Sequence, residues 1–220
     1  MTLIEEHPEH EQALEQLLNS LQHTVDHAVR TVCQEQYEHR PHESIITGRL
    51  IQQIEAEVRH AQLELGGLQL EVLARDFPQV AERKVGADLY VSVARLDTDA
   101  PKTKGMLVQV KWDHALARSD EWRRLRNQSK RMLRRSEESE TWILTPNGVR
   151  VVDARKTANE HRPNNLFEEA TTPGQIIADG LRCERGDMKI GRDPYEEPSQ
   201  AIGEVMRRLS VPHSVSFTVR

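Results

Sequence analysis

The chain has 220 residues, 30% of them charged and 37% hydrophobic, with a formal net charge of −5. That size suits one domain with extensions and allows a real core, and the acidic balance argues against a uniformly basic nucleic-acid binder while leaving room for a local basic patch. Cys33 and Cys183 lie far apart with no CxxC pair, which excludes a disulfide framework or zinc ribbon as an expectation. No apolar run approaches the roughly 20 residues that span a bilayer. The acidic N-terminus, MTLIEEHPEHEQ, has no signal-peptide pattern, so a soluble, reducing, cytoplasmic location is the default.

In chain order, residues 8–38 read as an acidic helix, with Leu14, Leu17, Leu18, Leu21 and Val25 at spacings of three and four. Pro41 interrupts. A second helix is predicted over 43–63, with Ile46, Leu50, Ile54 and Val58 on one stripe, Glu43 and Ser44 at its start, and Gly66-Gly67 as its stop. The period then changes. LQLEVLARDF (68–77), ADLYVSVARL (87–96) and MLVQVKW (106–112) read as strands, the last two joined by a polar hairpin loop over 97–105.

Residues 119–135 return to helical character, with Trp122, Leu125, Met132 and Leu133 as candidate buried positions. TWILT (141–145) and GVRVVDA (148–154) read as strands joined at Pro146-Asn147-Gly148. Helix, three strands, helix and two strands imply an α/β core, a mixed sheet with a helix on each face. Beyond about residue 155 the pattern weakens to a loop (KTANEHRPNN), a short helix capped near Thr172, and an amphipathic helix over 197–209.

Four polar residues stand out. Asp88 follows Gly86-Ala87 at a strand start, Gln109 and Lys111 sit two apart on the next strand, and Glu43 heads the helix before the sheet. Residues i and i+2 of a strand share a face, so Gln109 and Lys111 point the same way. If their strand pairs with 87–96, Asp88 lies near Gln109. A carboxylate, an amide oxygen and an ammonium group then converge. Such a set suits phosphodiester hydrolysis. Oxygen donors from Asp88, Glu43 and Gln109 would hold Mg2+ or Mn2+, and Lys111 would position water or meet charge developing on the phosphate.

The pattern of Glu43, then GADL with Asp88, then LVQVKW with Gln109 and Lys111 resembles the PD-(D/E)XK, or restriction-endonuclease-like, nuclease superfamily in its Gln-X-Lys variant. ESIITGRLI (43–51) is similar to the first helix of several such nucleases, and LRNQSKRML (125–133) resembles the helix that follows, with Gln128 near the active site. The resemblance covers about residues 43–155. It implies a restriction-endonuclease-like mixed sheet flanked by helices, Mg2+ or Mn2+ as cofactor, DNA as substrate, and a role in restriction or anti-phage defence. It also divides the chain into an acidic helical segment (1–40), a nuclease core (41–155) and a C-terminal extension packed on that core (156–220). Gln109 stands where the usual carboxylate would be, and Glu43 is expected to restore the missing charge.

Blander readings stand beside these. Asp88 could be a turn residue, Lys111 an edge-strand lysine, and Glu43 a helix-dipole residue with Glu55, Glu57 and Glu82 as rivals. Arg123, Arg124, Arg126, Lys130 and Arg131 crowd one helix and read as phosphate contacts, or as a solvated face that the acidic 8–38 helix covers until DNA displaces it. His23 and His27 lack an HExxH pattern and read as surface residues. No Ser-His-Asp arrangement is evident from spacing. The alternatives to an enzyme are an inactive nucleic-acid-binding or assembly module with the same fold, and a protein-interaction subunit that dimerises through its N-terminal helix. A homodimer or a partner defence subunit is the expected assembly.

Overall fold

The structure, a computed structural model, describes residues 8–77, 85–163 and 166–220. It is α/β, a mixed sheet flanked by helices. The elements run α1 (Pro8–Gln36), α2 (Glu43–Ala61), β1 (Glu64–Leu65), β2 (Leu68–Asp76), β3 (Leu89–Arg95), β4 (Lys102–Trp112) and α3 (Ser119–Leu133). They continue β5 (Ser139–Thr145), β6 (Gly148–Asp153), α4 (Ala154–Asn159), α5 (Pro173–Leu181), α6 (Pro198–Leu209) and β7 (His213–Val219). Seven strands form one sheet in the order β1-β2-β7-β3-β4-β5-β6. β7 runs antiparallel to β2 and parallel to β3, β3 and β4 form an antiparallel hairpin, and β5 runs parallel to β4.

Strand alternation gives the sheet two dissimilar faces. Leu89, Val91, Val108, Val110, Trp142, Val215 and Phe217 point to one face, where the stripes of α1, α2 and α5 bury the largest core. Tyr90, Leu107 and Ile143 point to the other, against α3, α4 and α6. The expected α1 stripe is buried as read, and extends through Val29 and Val32. The acidic helix therefore lies across the sheet from α3 and does not cover its basic residues, contrary to that expectation.

Three local readings are corrected. α2 stops at Gln62, which adopts the left-handed conformation (φ 45°), while Gly66 and Gly67 (φ 59° and 83°) make the tight β1–β2 turn. β4 begins at Lys102, inside the segment read as a hairpin loop, because Thr103 and Lys104 pair with Ala94 and Val93. Residues 154–159 are helical, not loop, started by the Asp153 carboxylate accepting from Arg155 N at 2.6 Å.

The segment read as a C-terminal extension contributes more than surface packing. Its last strand, β7, sits between β2 and β3 with all seven residues buried. HSVSFTV has strand periodicity, and the polar face formed by Ser214, Ser216 and Thr218 is buried along with the apolar one. The expected cap at Thr172 is present and doubles as a joint. Its hydroxyl accepts from Gln175 N and donates to Asp26 of α1 at 2.7 Å, and Asp26 also accepts from Gly174 N at 2.9 Å.

Candidate active site

The β3–β4 hairpin sets the geometry. Leu89 lies opposite Val108, and the amide of Asp88 donates to Val108 O at 2.8 Å, which extends the ladder by one residue and sets Asp88 across from Gln109. Gly86 makes the approach possible. It has φ 86°, and a Cβ there would lie 3.0 Å from the Gln128 carbonyl of α3, so a side chain would push the Gly-Ala-Asp turn off that helix.

Gln109 and Lys111 share a face, as alternation requires, and both are buried. The Gln109 amide nitrogen donates to the Asp88 carboxylate and to Val110 O, and Val110 N donates to the same Asp88 oxygen at 3.1 Å. Gln109 Oε1 is buried with no hydrogen-bond partner. Such an orphaned acceptor is costly in a dry site. Gln128 lies on the buried side of α3, facing the same side of the sheet, and its Oε1 is orphaned as well.

Lys111 sits between two carboxylates, 2.9 Å from Glu43 Oε1 and 2.9 Å from Glu121 Oε2. Its side chain is 4% exposed, against about one-fifth for each glutamate. Burial pushes the Glu43 carboxyl up, but the hydrogen bond and charge of Lys111 outweigh it and hold the group below its ordinary range. Glu43, expected as a metal ligand, is thus engaged as a partner of the lysine. Glu121 is the residue that sequence reasoning missed. The turn over Asp113–Ala117 folds the first turn of α3 back onto Lys111 and brings its Glu121 into reach.

Among the described residues no group of three or more His, Cys, Asp or Glu side chains could hold a metal ion. The fit to a divalent cation rests on Asp88 and Gln109. Turning the Gln109 amide over exchanges its donor for the orphaned oxygen and sets two hard oxygen ligands side by side, the donor type that Mg2+ and Mn2+ prefer. Asp88 and Gln109 are therefore the two oxygen donors on which a divalent ion at this site would have to rest.

Of the rival acids, Glu55 accepts from Ala74 N and pairs with Arg59, and Glu57 accepts from Gln53, so neither joins the site. Glu82 lies outside the described residues. His23 and His27 are exposed on α1. On α3, Arg123, Arg124, Lys130 and Arg131 are exposed, whereas Arg126 is half-buried and donates to Ala158 O at 3.3 Å, a bond that ties α3 to α4. No described helix is long and apolar enough to cross a membrane. Comparison with protein-family models, curated proteins and solved structures returned no match.

Proposed function

We propose that this chain is a divalent-metal-dependent DNA nuclease with a restriction-endonuclease-like core, acting in restriction or anti-phage defence. The observation that carries the reading is the pairing of Asp88 with Gln109 on adjacent strands, with Lys111 on the same strand face as Gln109 and held by two carboxylates. In support of this reading, the elements α2, β2, β3, β4, α3 and β5 belong to one mixed sheet and the helices flanking it, with β7 set between β2 and β3.

Asp88 and Gln109 would hold Mg2+ or Mn2+, which when bound neutralises a phosphate and makes water a better nucleophile. Glu43 and Glu121 hold Lys111 in place, where its ammonium group can position water or meet charge on the phosphate. Gln128 offers its amide from the α3 side. Arg123, Arg124, Lys130 and Arg131 supply exposed cations to the DNA backbone, a contribution that salt should weaken.

One observation favours a second reading, an inactive nucleic-acid-binding or assembly module. Of the three site acids, Glu43 and Glu121 are both taken up by Lys111, so few negative charges remain for a cation. Plasmid cleavage in Mg2+ or Mn2+ separates the two. Cleavage by the wild type that Lys111→Ala and Asp88→Ala each abolish supports the nuclease. DNA binding without cleavage, unchanged by chelation, supports the module.

A further inference from the structure

A second cluster of chemistry-bearing side chains lies at the same end of the sheet, on the α2 side. Asp76 ends β2 and His213 begins β7, and the two face each other in the antiparallel register. His213 Nδ1 lies 2.6 Å from Asp76 Oδ1, and His213 Nε2 lies 3.1 Å from Ser44 Oγ in the first turn of α2. In the neutral tautomer that donates from Nδ1 to Asp76, the Nε2 lone pair faces the serine hydroxyl. The imidazole rests on the helix at Gly48, one turn beyond Ser44, where a Cβ would lie 3.6 Å from the ring. Gln52 steadies the far side of the relay by donating to Asp76 Oδ2 at 3.2 Å.

Nucleophile, base and orienting acid are thus joined by two hydrogen bonds in the order that activated serines require. One oxyanion donor is the amide of Ser44 itself, which donates to His42 Nδ1 at 3.3 Å and would exchange that bond for one to the oxyanion. Ile45, which follows Ser44 in the first turn of α2, is an exposed apolar side chain.

We propose that Ser44 and His213, oriented by Asp76, form a second catalytic centre that hydrolyses small carboxylic esters. Ser44 Oγ attacks the ester carbonyl and its proton passes to His213 Nε2. The tetrahedral oxyanion, held by the Ser44 amide, collapses. The bond to the alcohol breaks, and the alcohol leaves with the proton from His213. Water then attacks the acyl-serine with His213 as base, the carboxylic acid departs, and Ser44 regains its proton.

The test uses the full chain in excess chelator, so that it is independent of any metal-dependent cleavage. p-Nitrophenyl butyrate hydrolysis is followed by absorbance, and a fluorophosphonate adduct is located by peptide mass mapping. The expected result is an adduct on Ser44 and hydrolysis that Ser44→Ala abolishes. His213→Gln should slow both by at least about 100-fold. Absence of an adduct on Ser44, or hydrolysis that survives Ser44→Ala, overturns the proposal. Ser44 is half-buried on a helix, so its alanine variant should retain the wild-type melting curve and keep the test decisive even if His213→Gln unfolds.

Discussion

Lys111→Ala separates a functional lysine from a merely solvated one through stability as well as activity. The substitution leaves Glu43 and Glu121, both drawn to within 2.9 Å of one nitrogen, facing each other without a cation. Breaking a buried pair by removing one partner costs about 3–5 kcal/mol. The carboxylates here are about one-fifth exposed, which lowers the expected cost to roughly 3 kcal/mol. At about 2–4 °C per kcal/mol for a chain of this size, the melting temperature should fall by about 6–12 °C at pH 7. The sign of the pH dependence follows from Glu43. Its carboxyl is held below the ordinary value of 4.5 when Lys111 is present, so its contribution is present above that pH and is lost as pH falls through the folded value. Without Lys111 only burial remains to act strongly on Glu43, and the carboxyl rises. The gap between wild type and variant should therefore narrow from pH 7 to pH 4. Melting curves followed by the fluorescence of buried Trp112 and Trp142 give the comparison directly. A gap of the same size at both pH values would refute the reasoning.

Gln109→Glu sets a second buried carboxylate beside Asp88 where an amide now donates, so it should lower the metal-free melting temperature. Mg2+ should then raise the variant's melting temperature by more than the wild type's, and no metal-dependent shift would count against Asp88 and residue 109 as the ion's seat. Glu140, buried on the opposite face across from Val108, has its carboxyl pushed up to about 7 because burial outweighs the attraction of Arg185. The folded state therefore binds a proton that the unfolded chain has released, and stability should fall as pH rises from about 4.5 to 7. Denaturation midpoints of Glu140→Gln across that range should lose this component of the slope. Gly174→Ala would drive a Cβ into the Gln22 carbonyl and to 2.9 Å from Asp26 Oδ1, parting α5 from α1. A loss of about 1–3 kcal/mol is expected by urea titration.

The hairpin carrying Asp88, Gln109 and Lys111 was legible because two-residue alternation alone decides which side chains share a strand face. The partners of Lys111 were only half legible. Glu43 stood out at a helix start, whereas Glu121 joins the lysine through a short 3-10 turn that leaves no periodic signal. The Ser44–His213 contact spans 169 residues of sequence and depends on β7 entering between β2 and β3. A strand with one serine-rich face gives no hint of that burial, and no spacing rule relates Ser44 to His213. The arginines of α3 were legible as a group. Their division into exposed cations and a structural Arg126 depended on α4, which the sequence pattern did not reveal.

The cluster of Glu43, Lys111 and Glu121 poses a physical question that bears on function. Its charges are desolvated at the end of a sheet whose neighbouring positions are filled by well-packed apolar side chains. Burying charge costs several kcal/mol per ion in effect, and apolar residues of similar volume often replace such a cluster with no loss, or with a gain of about 1–4 kcal/mol. If the cluster served folding alone, it would be an inefficient device. The triple variant Glu43→Leu/Lys111→Met/Glu121→Leu removes every charge at once and leaves none unpaired. It should therefore melt at or above the wild-type temperature while losing any metal-dependent cleavage, in contrast with Lys111→Ala, which leaves the two acids behind. A triple variant destabilised as much as the single one would mean that the ion pairs hold the α2, β4 and α3 ends together. The case for a lysine retained for chemistry would then fail.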